Sequence, residues 1–232
     1  MILRVKFNKK NYLKYIGHLD LLRLFQRTFR RAGIPVKYSQ GFNPHPKFSI
    51  ANPLSLGIES EGEYMDIELE DKVDIDDFTQ KMNQVLPKDI RILRAIYPKE
   101  NKSISSELSW ALYGVTLEIE EDLSIEDIQE RLDNWLARGG IIISRLRKQG
   151  KRKVMKEEDI APLIGGIDVR DKTGSEVTLE VLMRVGEDGN IRPFDFIDAL
   201  KASDIIKLDK DSVSLIRKAL YKEDGDQLYE PI

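Results

Sequence analysis

Apolar positions recur along this chain in two rhythms. Residues Ile2–Phe7 alternate apolar and polar, the period of a half-buried strand. From His18 the period lengthens. Leu21, Leu22, Phe25, Phe29 and Ala32 fall on one helical face over 18–33, and Gly33 follows as a helix stop. A strand is predicted over Ile34–Tyr38, then a polar, proline-rich loop over Ser39–Pro46. Phe48–Leu56 and Glu63–Leu69 read as two strands joined across Gly57–Gly62. Asp74–Leu86 carries Ile75, Phe78, Met82 and Val85 at helical spacing, and Ile90–Tyr97 reads as a strand. The order is β-α-β-β-α-β, the ferredoxin-like pattern.

The second half repeats it. Trp110–Ile119 alternates as a strand. Ser124 starts a helix running to Ala137, with Ile125, Ile128, Leu132 and Leu136 inward. Gly139–Leu146 reads as a strand and is followed by a basic loop and Ile160–Gly166. Ile167–Asp171 and Val177–Val185 pair across Lys172–Glu176, and Pro193–Ala202 is a short helix. Ser214–Tyr221 fits a strand or a helical turn equally well. We expect an α+β chain of two tandem ferredoxin-like domains, residues 1–103 and 104–232. The polar, serine-rich stretch Pro98–Glu107 links them.

Composition narrows the chemistry. The 232 residues contain no cysteine, so disulfides, thiolate metal sites and cysteine nucleophiles are excluded within this chain. No apolar run approaches the roughly 18 residues of a membrane span, and the N-terminus leads straight into a strand pattern. A cytoplasmic protein is expected.

The net charge of −3 conceals segregation. Residues 1–53 carry +10, 54–136 carry −13, 137–156 carry +8 and 157–232 carry −8. Two basic blocks alternate with two acidic ones. Such segregation builds a basic face that meets polyanions, unless the blocks neutralise each other in the fold.

The first basic block holds the densest candidate chemistry. Arg23, Arg27, Arg30 and Arg31 lie within an arc of about 100° on the helix, opposite the apolar face. Guanidinium groups favour flat anions such as phosphate. The loop Tyr38–Lys47 holds Ser39, Phe42, Asn43 and His45, stiffened by Pro44 and Pro46. Its aromatic residues Tyr38 and Phe42 could stack on bases, or Phe42 could plug the core. We expect His18, Asp20, Arg27, Ser39, Asn43 and His45 to converge on one pocket, with Tyr38 and Phe42 beside it and Lys47 adding charge. No metal-ligand spacing occurs around His18, Asp20 and His45, so no metal is expected. The second basic block, SRLRKQGKRKVMK, suggests an exposed hairpin tip. There Arg147, Lys148, Lys151, Arg152 and Lys153 can reach a nucleic-acid backbone without reading sequence. No phosphate loop, dinucleotide fingerprint or nucleophile elbow is present.

The segments YIGHLD, RRAGIP and YSQGFNPHPKFSIANPLSLGIESEGEY together resemble the signature of the radical SAM-linked protein family, bacterial proteins of unknown function. The likeness is specific over residues 15–64. It extends through EEDIAPLI, IRPFDFI and SLIRKAL over most of the chain. The family often has Ser where Gly17 stands, so the helix cap is weaker here. The resemblance implies an accessory role beside a radical SAM enzyme acting on RNA, tRNA or rRNA. The partner would carry the iron–sulfur cluster and S-adenosylmethionine, because this chain lacks the thiolates to hold a cluster. The leading expectation is a non-catalytic recognition module. The alternatives are a metal-independent endoribonuclease using His18, His45 and Tyr38, and a protein-interaction adaptor without RNA binding.

Overall fold

The computed structural model describes residues 1–100, 102–150 and 152–232; at 147–149 and 210–211 only the backbone is described. The chain is mixed α+β, and among the described residues it holds five α-helices and mostly antiparallel strands. None of those helices is long and apolar enough to cross a membrane. The fold divides into two compact units. Met1–Trp110 with Ile216–Ile232 form the first, and Ala111–Leu215 the second.

The first unit opens with β1 (Ile2–Lys9) and α1 (His18–Ala32), followed by β2 (Phe48–Ile50) and β3 (Glu59–Glu68). Then come α2 (Ile75–Val85), β4 (Ile90–Ile96) and the short α3 (Ile104–Glu107). β1 runs antiparallel to both β3 and β4, and β2 runs antiparallel to β3, so the strands lie in the order β4-β1-β3-β2. Helix α1 buries Leu21, Phe25 and Phe29, and Gly33 closes it in the left-handed region at φ 65°. Phe7 meets Phe25 edge-on at 4.9 Å between ring centroids, and Phe48 meets Phe29 at 5.1 Å. Asp74 caps α2 by accepting from the Asp76 and Asp77 N–H groups.

Two predicted strands contract. Ile34–Tyr38 contributes only the isolated bridges Val36 to Leu69 and Tyr38 to Pro46, because Pro35 removes a donor. Phe48–Leu56 ends as a strand at Ile50, where Asn52 enters positive φ and Pro53 follows. The predicted linker does not hang free. Ile104 is fully buried, and Asp66 accepts its N–H at 2.8 Å. The Arg4 guanidinium binds Asp66 through two nitrogens, the Lys102 carbonyl and Glu107.

The second unit takes β5 (Trp110–Ile119) from Ala111 onward, then α4 (Ile125–Arg138), β6 (Ile142–Gln149) and β7 (Arg152–Asp159). β8 (Ile164–Thr173), β9 (Glu176–Arg184) and α5 (Pro193–Ser203) follow. Strand β10 (Leu208–Asp224) starts in this unit and ends in the first, where β11 (Gln227–Tyr229) pairs with it. The strand order here is β10-β5-β9-β8, and β8 and β9 are antiparallel. Ser124 and Asp127 form a reciprocal capping box at the start of α4.

Two corrections apply to this half. The expected basic hairpin is the separate β6–β7 pair, with eight paired positions from Ile142 to Asp159 through Gln149 to Arg152, and its second arm is strand where a basic loop was expected. Its second arm, RKVMKEED, lies almost wholly in solvent, so no apolar alternation marks it. The stretch Ser214–Tyr221 is strand throughout, and beyond Leu215 it packs in the first unit rather than closing a separate C-terminal domain.

Candidate functional site

Helix α1 presents the expected basic face. Arg23, Arg27, Arg30 and Arg31 are exposed while Leu21, Phe25 and Phe29 face the core. Arg23 donates to Asp20 at 2.9 Å. Among the described residues, Arg27, Arg30 and Arg31 have no carboxylate partner. Three guanidinium groups therefore stand open to an external anion on one helix face.

The loop after α1 is a rigid, exposed turn. The Ser39 N–H donates to the His45 carbonyl at 2.9 Å, and the His45 N–H donates to Ser39 Oγ at 3.1 Å. The Lys47 N–H closes the base on the Lys37 carbonyl at 2.7 Å. Phe42 at the tip is fully exposed and plugs no core, while Asn43 and His45 are also exposed. Tyr38 is partly open, and Lys47 lies 3.6 Å from Glu68.

The six residues expected in one pocket take the following positions. Ser39 and His45 are joined by the loop, Asp20 is held by Arg23, and Arg27 stands on the outer face of α1. Among the described residues, no hydrogen bond or ion pair connects the Ser39–Pro46 loop to the first turn of α1. His18 instead lines a small cavity in the first unit, of about 10 Å³.

That cavity contains groups the sequence reading missed. Its wall includes Lys9, Glu63, Ile16, Leu21, Ile50 and Leu54 as well as His18. Lys9 is only 2% exposed. Beside it Arg217 donates to both Glu63 oxygens, one bond measuring 2.8 Å, and to the Asn52 carbonyl at 2.9 Å. Both side chains of this pair are 1% exposed. Burial pushes the Lys9 ammonium below the ordinary lysine value; Glu63 opposes that shift and Arg217 reinforces it. A sequence signal for Lys9 exists. Leu3, Val5 and Phe7 are the inward positions of β1, and the same alternation carries Lys9 inward. Arg217 likewise sits between the buried Leu215 and Ala219 on β10.

In the second unit the basic hairpin exposes Arg152 and Lys153. The side chains of Arg147 and Lys148, and Lys151 altogether, lie outside the described residues. Arg145 turns the other way. It is buried, donates to Asp195 at 2.6 and 3.0 Å, and donates to Glu158 at 3.1 Å. Burial pushes the Asp195 carboxyl up, but the bonds from Arg192 and Arg145 outweigh it and hold the group below its usual range. Among the described residues, no cluster of His, Asp and Glu could hold a metal ion.

No curated protein matches the chain in sequence. Among solved structures, one of a Cbf5–Nop10–Gar1 complex is similar at 11% identity and a TM-score of 0.50, over 96% of this chain and 50% of the other. An archaeal box H/ACA sRNP Nop10–Cbf5 complex is similar at 10% identity and a TM-score of 0.47, over 96% and 49%. The chain thus spans about half the length of these chains. Residues 3–193 match the family described as "Uncharacterized protein conserved in bacteria (DUF2344)". With four-fifths of its length matched, this chain belongs to the DUF2344 family of uncharacterized bacterial proteins.

Proposed function

We propose that this chain is a non-catalytic RNA-recognition module that works beside a radical SAM enzyme in the cytoplasm. The observation that carries the RNA reading is the outer face of α1, where Arg27, Arg30 and Arg31 are exposed without a carboxylate partner among the described residues. Unpaired guanidinium groups on a rigid helix bind phosphates and release condensed counterions. The exposed Phe42 on its proline-stiffened loop adds a stacking platform that serves any base. The hairpin, with Arg152 and Lys153 exposed, supplies a second phosphate-binding surface in the second unit. Phosphate contacts of this kind position RNA, and the partner supplies the chemistry.

The radical SAM partner rests on the resemblance of residues 15–64. That partner would hold the iron–sulfur cluster and S-adenosylmethionine, since this chain has no cysteine to ligate a cluster. The tandem ferredoxin-like reading is supported by the strand orders β4-β1-β3-β2 and β10-β5-β9-β8, each being the fourth, first, third and second strand of a β-α-β-β-α-β unit once the β6–β7 hairpin is treated as an insertion.

Incubation of the purified chain with labelled tRNA and rRNA fragments tests the reading. Salt-sensitive retention without cleavage is the expected result. Cleavage would replace it with the endoribonuclease reading, and the absence of both at low salt would favour a protein-interaction adaptor. Co-purification of an iron–sulfur enzyme with the tagged native chain tests the partner separately.

A further inference from the structure

Among the described residues lining the cavity around Lys9, Glu63 is the one carboxylate, and two cations, Lys9 and Arg217, share it. Arg217 donates to both oxygens of Glu63. Lys9 is 2% exposed, and among the described residues no hydrogen bond or ion pair reaches its ammonium. An ammonium so nearly closed off and without a hydrogen bond is costly, and Ile16, Leu21, Ile50 and Leu54 share its walls with Glu63. Asp20, in the first turn of α1, accepts from Arg23.

Two further features belong to the first turn of α1. His18 lines the cavity and is the first residue of the 15-residue helix α1. Gly17 precedes it and no side chain caps the first turn, so that turn presents backbone N–H groups and the positive end of the helix dipole. The cavity's 10 Å³ is about the room of one water-sized atom.

We propose that this is an oxyanion site. One oxygen of a phosphate or carboxylate group enters the cavity onto the Lys9 ammonium, and the rest of the group sits at the mouth against His18 and the first turn of α1. The ligand chemistry is a small oxyanion or the anionic end of a larger molecule. The site is separate from the arginine face and does not depend on the RNA reading.

The test uses the full chain, with inorganic phosphate and acetate as probes, each matched in ionic strength by sodium chloride. The thermal midpoint and phosphorus NMR line width are followed through the titrations. Wild type should gain stability with phosphate or acetate and saturate; response to one anion alone names the class. Lys9→Met should melt higher than wild type in anion-free buffer, because it removes the buried charge, and should lose the response. His18→Gln, at a half-buried position, should weaken affinity at least tenfold and serves as the deciding variant if Lys9→Met fails to fold. A wild type with no saturable response to either anion would overturn the proposal. So would an unchanged response in both variants, which would place the anion elsewhere, for example on Arg27, Arg30 and Arg31.

Discussion

Lys9 shows what one residue contributes when it is buried without a hydrogen bond to its ammonium. Its folded-state pKa lies below the ordinary lysine value because of burial. Between those two values the unfolded chain holds a proton that the folded chain has released. Stability therefore rises with pH across that window and stays level at its lower value below it. Urea denaturation between neutral pH and pH 10 should show that rise in wild type, and Lys9→Met should flatten it. Phe42 is the opposite kind of residue, open to solvent at the tip of a loop fixed by its own backbone. Phe42→Ala should weaken RNA binding by about 1–3 kcal/mol for one stacked base and leave the salt dependence unchanged. An unaltered affinity in fluorescence anisotropy would remove Phe42 from the interface. The sequence announced both residues unequally. Phe42 stood out through the proline-rich loop, whereas Lys9 was visible only by following the alternation of β1 one step past its last apolar residue.

At the scale of elements, legibility followed apolar periodicity. Helices α1, α2, α4 and α5 were readable because each buries a regular stripe against strands. The hairpin arm β7 was not, since its residues face water and its pairing partner, β6, alone determines it. Strand β2 was over-read because apolar residues, Ala51, Leu54 and Leu56, continue past Ile50 while Asn52 and Pro53 turn the backbone away. The hairpin is held to its unit by Arg145, whose guanidinium spans Asp195 at the start of α5 and Glu158 on β7. Asp195→Ala removes the closest of these partners and should cost about 2–3 kcal/mol. Because Asp195 titrates below its usual range, its contribution is complete above the usual carboxylate value and is lost as pH falls through the folded-state value. The difference between wild type and Asp195→Ala in chemical denaturation should accordingly shrink in acid.

At the scale of the whole molecule, the chain ends where it began. Ile216–Ile232 belongs to the first unit, an arrangement set by long-range pairing that local pattern does not encode. Arg217 on β10 meets Glu63 on β3 in that unit, across 154 positions of sequence. Glu63→Gln keeps the shape and removes the carboxylate charge that Arg217 binds through two nitrogens and that acts on Lys9. It should destabilise the chain by about 3–5 kcal/mol in urea denaturation. An effect below 1 kcal/mol would mean that the pair carries little of the unit's stability. The arginine face was legible as a pattern from the start, and the fold adds that three of its four members stand without internal partners among the described residues. The RNA reading rests on that face, so the most direct measurement is anisotropy of a labelled single-stranded RNA at several salt concentrations, for wild type and for Arg27→Ala with Arg30→Ala. With about four to six phosphate contacts the log–log slope for wild type should be roughly −3 to −4, and the double variant should bind more weakly with a shallower slope, alike for many sequences. Equal affinity and equal slope in the two proteins would contradict the account.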